Sequence, residues 1–376
     1  MDASSKIPQT DPKAGYLAHR DAIDAAIHRV LESGWYILGS EVEAFEAEFA
    51  AFAGTRHAIG VANGTDALVL ALRAVGIGQG DAVVTVSHTA VATVAAVELV
   101  GATPVLVDID DAYGMDPAGL EAALRDDPTG GRIKAVLPVH LYGQAVDLGA
   151  VLDMAERHGV VVVEDCSQAH GATWQGRGVG SFGAAAAFSL YPTKNLGALG
   201  DGGIVTTGTH SIAAALRALR QYGWQDRYIS ETTGQNSRLD ELQAAILRVK
   251  LAHLEEANAR RQAIAAAYDQ ALEGLPVERP VRRSGAGHVF HQYVVALDDR
   301  EGLREALRAQ GIASNVHYPT PVHLQPAYRD RVPLGPGGLP RTERCAGRIL
   351  SLPMFPQLAD AAVERIISAL RKALAR

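Results

Sequence analysis

Short β-branched runs alternate with Ala- and Leu-rich stretches at helical spacing between about residues 55 and 210. This alternation is typical of a mainly parallel sheet covered by helices, because parallel strands need crossover connections. Four consecutive valines at 160–163 indicate a strand that is buried on both faces. The pattern predicts strands at 58–61, 82–86, 104–108, 134–139, 160–164, 184–190 and 203–207, and helices at 65–75, 90–100, 117–125, 148–158 and 211–221.

The flanking segments predict further elements. Residues 40–43 have the S-x-x-E form of a capping box, and apolar residues then recur at helical spacing to Phe52. One long helix is expected over 239–257, a strand over 291–297 and an amphipathic helix over 359–375. The C-terminal part therefore reads as a smaller α+β unit.

Size and composition fit a globular protein of two domains. The 376 residues exceed what one hydrophobic core usually organises, and 48% of them are hydrophobic. We expect a large domain over 1–250 and a small domain over 251–376, with 1–35 packing near the small one. The net charge of -7 lacks the basic excess that nucleic-acid binding needs, so we expect no nucleic-acid partner.

Cysteine usage and the chain start indicate a cytoplasmic protein. Cys166 and Cys345 are far apart and form no CxxC motif, so neither a disulfide framework nor a metal site is expected. The first residues lack the basic-then-apolar order of a secretory signal. The apolar stretch 90–107 contains Glu98 and Pro104, and we interpret it as a helix and a strand, not as a membrane span.

Three strand ends carry candidate chemistry. Asp165 follows the 160–164 strand, where a carboxylate could hold a cationic ring nitrogen or simply be a helix cap. Lys194 lies in a polar loop bounded by glycines, where it could form a Schiff base or be a solvated surface lysine. Gly64 and Thr65 open a helix and could cradle a phosphate or form only a turn and a cap. Together the three features describe a site for pyridoxal phosphate (PLP).

The sequence resembles the DegT/DnrJ/EryC1/StrS family of sugar aminotransferases, within the fold-type I PLP-dependent transferases. The resemblance implies an α/β fold with a mainly parallel seven-stranded sheet sandwiched by helices and a smaller α+β C-terminal domain. It spans nearly the whole chain and rests on the blocks GWYILG at 34–39, EDCSQAHG at 164–171, YPTKNLGALGDGG at 191–203, NSRLDELQAA at 236–245 and HYP at 317–319.

The resemblance assigns chemical roles to three of these residues. Lys194 would form the Schiff base with PLP and later move the proton between the substrate α-carbon and the cofactor C4′. Asp165 would pair with the pyridinium nitrogen, and Gln168 would hydrogen-bond the 3-oxygen of the ring. Lysine at position 194, where the dehydratase branch carries histidine, favours transamination.

The resemblance also implies binding residues and a homodimer with shared active sites. Asn236 would complete the phosphate site of the other subunit. Where relatives commonly carry an aromatic residue that stacks on the ring, this chain has Ala90. Either His88 supplies the stacking face, or another group covers the ring and His88 only caps the next helix. The implied phosphate ligands are Gly64, Thr65 and Ser189, and the implied substrate contacts are Trp35, Tyr36, His317 and Tyr318.

The implied reaction moves an amino group from an amino acid, L-glutamate, through pyridoxamine phosphate (PMP) to a keto group of a nucleotide-activated sugar. The motifs at 191–203 and 236–239 look most like those of enzymes acting on dTDP-3-keto-6-deoxyhexoses. A 4-keto nucleotide sugar or a cyclitol ketone is the alternative acceptor. A non-catalytic regulatory relative should have lost Lys194 or Asp165, and this chain retains both.

Overall fold

The computed structural model describes residues 6–375. Residues 1–5 and 376, which the two expected domains include, lie outside the described residues. The helices are α1 (Pro12–Ala18), α2 (Arg20–Ser33), α3 (Ser40–Ala53), α4 (Gly64–Ala74), α5 (Val91–Leu99), α6 (Pro117–Asp126), α7 (Leu148–His158), α8 (His210–Leu219), α9 (Glu241–Leu251), α10 (Leu254–Ala271), α11 (Arg300–Ala309), α12 (Pro340–Ala346) and α13 (Asp360–Leu374). The strands are β1 (His57–Val61), β2 (Ala82–Val86), β3 (Thr103–Val107), β4 (Ile133–Val136), β5 (Val161–Asp165), β6 (Thr173–Trp174), β7 (Arg177–Gly178), β8 (Ala185–Ser189), β9 (Gly203–Thr207), β10 (Trp224–Asp226), β11 (Ile229–Ser230), β12 (Ala286–Gly287), β13 (Tyr293–Ala296) and β14 (Ile349–Leu352).

A seven-stranded sheet with the strand order β1-β9-β8-β5-β4-β2-β3 forms the centre of the fold. Its strands pair in parallel from β3 to β8, whereas β9 is antiparallel to both of its neighbours. The predicted α/β class with a mainly parallel sheet is therefore confirmed. Because β1, β5 and β8 run in the same direction, their carboxyl ends meet at one edge, where such sheets hold ligands.

The prediction of one helix over 239–257 is wrong. α9 ends at Leu251 and α10 begins at Leu254, with His253 in a non-helical conformation between them. The His253 ring stacks on His19, with 4.2 Å between ring centroids. No glycine or proline marks the break, so only tertiary packing separates α9, which packs on α2 and α3, from α10, which packs on α13.

The start of α3 also differs from the prediction. Ser40 is the first helical residue, and Gly39 at the N-cap offers no side chain to the free backbone N–H groups. Instead the Glu241 carboxylate accepts hydrogen bonds from the N–H groups of Gly39, Glu41 and Val42 at 2.8, 2.9 and 2.8 Å. A buried acid at the start of α9 thus satisfies donors that the local sequence leaves open.

The C-terminal part contains the antiparallel pair of β13 and β14, flanked by α11 and α13. Near the chain start, Ile7 forms a bridge with Ile312, and the backbone of Met354 donates to the Gln9 carbonyl. The division near residue 250 stays a prediction. Within residues 6–375, none of the helices combines the length and the apolar composition needed to cross a membrane.

Candidate active site

A cavity of about 420 Å³ opens at the edge of the sheet where β1, β5 and β8 end. Most of the sequence-predicted site residues meet there, including the acid after the 160–164 strand and the loop lysine. Those that line the cavity are Gly64, Thr65, Asp165, Gln168, Ser189, Lys194, His317 and Tyr318.

Asp165 presents a buried carboxylate to this cavity. The residue is 2% exposed, and its Oδ2 accepts a hydrogen bond of 2.8 Å from the Thr93 hydroxyl. Its Oδ1 accepts one of 3.1 Å from the Ser167 backbone N–H. Among residues 6–375, no cationic side chain forms an ion pair with Asp165 within 4 Å. A buried carboxylate without a cation is costly, so this position fits the protonated ring nitrogen of PLP.

The neighbouring acid, Glu164, faces the other way along the strand and is part of the scaffold. Its carboxylate accepts hydrogen bonds of 2.9 Å from the backbone N–H groups of Gly180, Phe182 and Gly183 and one of 3.1 Å from His140. Burial raises the pKa of Glu164, but these hydrogen bonds outweigh it and the net shift is downward. Strand alternation thus gives the two adjacent acids different tasks.

Lys194 lies in a tight loop on the cavity wall. Its backbone N–H donates to the Tyr191 carbonyl at 2.9 Å, and a Cβ on Gly197 would lie 2.5 Å from the Pro192 carbonyl oxygen. The Nζ atom has no hydrogen-bond partner among residues 6–375. Burial lowers the pKa of Lys194 to about 8, and the nearby Asp165 charge opposes that shift only in part. A substantial fraction of neutral, nucleophilic amine is therefore present near neutral pH.

The first turn of α4 forms the third wall feature. Asn63 caps the helix by accepting a 2.8 Å hydrogen bond from the Asp66 N–H, which leaves the earlier N–H groups, at Gly64 and Thr65, without an acceptor within the helix. A Cβ on Gly64 would lie 2.5 Å from the Ser189 Cβ, so glycine is needed for this close approach. The hydroxyls of Thr65 and Ser189 and the N-terminus of α4 thus line the same part of the cavity, an arrangement that fits a phosphate.

Gln168 has a fixed orientation. Its Oε1 accepts a 2.8 Å hydrogen bond from the Tyr142 N–H, and its Nε2 donates to the Tyr318 hydroxyl at 3.1 Å. The second proton on Nε2 remains available to an oxygen in the cavity. The Tyr142 hydroxyl donates to the His317 carbonyl, which ties this wall to the His317-Tyr318 segment.

Two buried histidines, His170 and His291, and the half-buried His317 lie near Lys194 and stay neutral at neutral pH. Burial, with a smaller contribution from the Lys194 charge, lowers the pKa of His170 to about 3 and that of His317 to about 4. The same two causes lower the pKa of His291 well below its ordinary value. The group whose protonation changes near neutral pH at the centre of the site is therefore Lys194.

Four predicted residues do not reach the cavity of their own chain. His88 is 1% exposed and packs against Tyr142, with its Nε2 2.8 Å from the tyrosine hydroxyl, so its ring is not placed to stack on a cofactor. Ala90 lines the cavity instead. The remaining three, which lie on the exposed surface, are Trp35, Tyr36 and Asn236.

Sequence reasoning missed three residues of the site. Thr93 hydrogen-bonds Asp165, and His291 and Gln292 line the cavity just before β13. The Asn195 Oδ1 lies 3.2 Å from His291 Nδ1, and the Asn195 amide donates to Asn258, so the imidazole proton sits on Nδ1 and Nε2 is an acceptor. The sequence offered one signal for these residues, namely that His291 begins a predicted strand. A histidine in that position more often has a structural role than a functional one.

The lysine environment predicts how the rate of PLP loading depends on pH. Because only the neutral amine attacks an aldehyde, loading of apoprotein should accelerate as pH rises through about 8 and then level off. Stopped-flow absorbance over a pH series would measure this midpoint. A midpoint near the ordinary lysine value would contradict the burial effect on Lys194.

Comparisons with known proteins agree with this geometry. The sequence model of the DegT/DnrJ/EryC1/StrS aminotransferase family matches residues 18–371. The chain is 49% identical to the dTDP-3-amino-3,4,6-trideoxy-alpha-D-glucose transaminase of Streptomyces venezuelae over 369 residues, covering 98% of this chain and 96% of the relative. It is 44% identical to the UDP-N-acetyl-3-dehydro-alpha-D-glucosamine 3-aminotransferase of Acidithiobacillus ferrooxidans, over 100% of both chains. The crystal structure of S. venezuelae DesV in complex with a ketimine intermediate superposes with a TM-score of 0.95 at 49% identity, covering 99% of this chain and 100% of that one.

Proposed function

The chain belongs to the DegT/DnrJ/EryC1/StrS aminotransferase family, and from this premise we propose that it transfers an amino group from L-glutamate to the keto group of a dTDP-3-keto-6-deoxyhexose. The predictions of the family, of an aminotransferase acting on a nucleotide sugar and of PLP as the cofactor are confirmed by the family match and the relatives. The particular sugar, its nucleotide and the amino donor belong to the proposal. So do a cytoplasmic location and the individual residue roles.

The observation that carries the proposal is the shared cavity of Lys194 and Asp165. One wall offers an amine, another a carboxylate without a cation, and a third the first turn of α4. PLP bound there supplies an aldehyde that accepts amines and a cationic ring that withdraws electrons.

The side chains of this protein divide the remaining work. Asp165, whose orientation is fixed by Thr93, would accept a hydrogen bond from the protonated ring nitrogen. Gln168 Nε2, which already donates to the Tyr318 hydroxyl, would donate its second proton to the ring 3-oxygen. Lys194 Nζ would bond the cofactor aldehyde and, when released, would serve as the base that moves a proton between the substrate carbon and the cofactor, a role that suits a pKa near 8.

The names of the relatives support amination at C3 more than the choice of nucleotide. The S. venezuelae relative forms a 3-amino dTDP sugar, and the A. ferrooxidans relative is named for the 3-position of a UDP sugar. A keto group at C3 is common to both, whereas the nucleotide differs. We therefore propose the 3-keto group as the reacting centre. We propose dTDP as the preferred nucleotide because the chain is 49% identical to the dTDP-sugar relative and 44% identical to the UDP-sugar relative.

A substrate panel tests this function. Protein loaded with PMP should aminate a dTDP-3-keto-6-deoxyhexose with a kcat/KM at least about 10-fold above that of the 4-keto isomer, a UDP-linked 3-keto sugar or scyllo-inosose. Product formation by mass spectrometry and regeneration of PMP by L-glutamate complete the assay. Preference for the 4-keto isomer or the cyclitol would replace the proposed acceptor.

We further propose a homodimer in which Asn236 reaches the phosphate in the other subunit. Asn236 is exposed, and an apolar surface flanks it, with Trp35 63%, Tyr36 49% and Ile37 41% exposed. Ile37 bridges Asp240, so this surface continues directly from the Asn236 segment. Asn236 lies outside the cavity of its own subunit and next to an exposed aromatic patch. Both facts support a dimer interface across which each subunit contributes Asn236 to the active site of the other.

Mixed dimers test this sharing. Lys194→Ala and Asn236→Ala subunits should each be impaired alone, but their heterodimer combines both changes in one site and leaves the other intact, so about half the activity per dimer should return. Mixing Lys194→Ala with Asp165→Asn is the matched control, because each subunit then keeps its own defect and no activity should return. Equal behaviour of the two mixtures would argue for self-contained subunits.

A further inference from the structure

A second, smaller cavity of about 70 Å³ adjoins the lysine loop. We call it the loop cavity. Its walls come from Thr10, Asp11, Pro12, Gly15 and His19 around α1, from residues 192–195 and Gly197 of the lysine loop, from Lys250 and His253 at the junction of α9 and α10, from Arg261, and from residues 355–357. It shares Thr193 and Lys194 with the larger cavity. Four separate parts of the chain thus meet around a space that exceeds the volume of one water.

Arg261 brings a buried positive charge to the loop cavity without a counter-ion. The residue is 4% exposed, and its Nη1 donates to the carbonyls of Phe290 and Met354 at 3.2 and 3.0 Å. Its Nε is buried without a partner, and no carboxylate in residues 6–375 lies within 4 Å of the guanidinium. Burial lowers the pKa of Arg261 to about 9, so the side chain remains charged at neutral pH.

Lys250 adds a second cation to the same space. Its Nζ donates to the Gly197 carbonyl at 2.6 Å, and the described part of the chain supplies no acid to it. Burial lowers the pKa of Lys250 to about 8, which still leaves most of it charged at neutral pH. The acid on the wall, Asp11, caps α1 by accepting from the Ala14 N–H at 3.0 Å and forms no ion pair with either cation.

We propose that the loop cavity binds a small inorganic anion with the size and charge of chloride, held between Lys250 and Arg261. A buried arginine and a half-buried lysine without a carboxylate carry a desolvation cost that a bound anion offsets. The stacked imidazoles of His19 and His253 offer further N–H donors on the same wall. The anion would fasten the loop that carries Lys194 to α1 and α10, a role independent of which sugar the protein uses.

Anomalous diffraction tests the site directly. Crystals of the PLP-bound protein soaked in sodium bromide should show an anomalous peak within hydrogen-bonding distance of Lys250 Nζ and the Arg261 guanidinium. Lys250→Met should lose the peak, whereas the control Lys13→Met, at an exposed position on α1 outside the cavity, should keep it. No peak there in the wild type, or a peak that Lys250→Met retains, overturns the proposal.

Thermal unfolding provides a second readout that does not depend on crystals or turnover. At equal ionic strength, sodium chloride should raise the Tm of wild type and Lys13→Met above that in sodium gluconate, and Lys250→Met should lose this rise. An unchanged chloride response in Lys250→Met overturns the proposal. If L-glutamate displaces bromide in the crystal and reproduces the rise, the occupant is a donor carboxylate and the inorganic assignment is wrong.

Discussion

Lys194→Ala should lower kcat by at least roughly 10⁴-fold, because the variant loses both the amine that bonds the cofactor and the base that moves the proton. Lys194 is the one lysine among the described residues that line the cavity, so no other described lysine is placed to replace it. The variant should still fold and bind PMP, since the phosphate cradle and Asp165 are untouched. Single-turnover kinetics and PMP titration by fluorescence measure the two effects separately.

The control for this variant is Lys13→Ala, which removes an exposed lysine from α1 and should leave kcat within about 2-fold of wild type. Unfolding curves for all three proteins would show that lost activity is not lost structure. Lys194→Ala activity within 10-fold of wild type would remove this residue from the proposed role.

Asp165→Asn should be the second most damaging change. Removing one partner of a buried ion pair costs roughly 3–5 kcal/mol, which corresponds to a loss of about 10²- to 10⁴-fold in kcat if that pair matters most during proton transfer. Asparagine has nearly the same size and shape as aspartate and can still hydrogen-bond Thr93. It has no negative charge, so it no longer stabilises a protonated ring nitrogen. Steady-state kinetics and the pH dependence of the bound-cofactor spectrum are the measurements.

Asp201→Asn is the matched control, since Asp201 lines the same cavity but is exposed and belongs to the loop before β9. A small change in kcat there, beside a large one at position 165, would separate a specific contact with the ring from a general change in cavity charge. If the two asparagine variants lose activity equally, the assignment of the ring nitrogen to Asp165 fails.

The central sheet could be predicted because each of its strands carries its own signal. β5 and β8 both lie where strands were expected, with Asp165 at the end of one and the polar loop of Lys194 after the other. Parallel pairing of β5 with β8 then places the carboxyl ends of the two strands side by side. Gly64 and Ser189 belong to the same prediction, and the close approach of the Gly64 backbone to the Ser189 side chain follows from the strand order. Local pattern and topology were sufficient for these residues.

Other features depend on contacts that no local pattern encodes. The break before α10 has no glycine or proline, and the cap of α3 comes from Glu241, about two hundred residues away. His88 looked suited to stacking because it neighbours Ala90, yet its ring turns into a buried cluster with Tyr142. Residues whose place depends on tertiary packing, or on a second subunit, lie beyond single-sequence reasoning.

The position of β1 at the sheet edge constrains how the protein emerges from the ribosome. β1 pairs with β9 alone, from His57 with Thr207 to Val61 with Gly203, and α3 beside it receives its cap from Glu241. The segment 40–61 therefore cannot complete its native contacts until the nascent chain has been translated beyond residue 241. During that interval the apolar face of α3 and one strand edge stay open, so slow synthesis or truncation in this stretch would favour chaperone capture and aggregation.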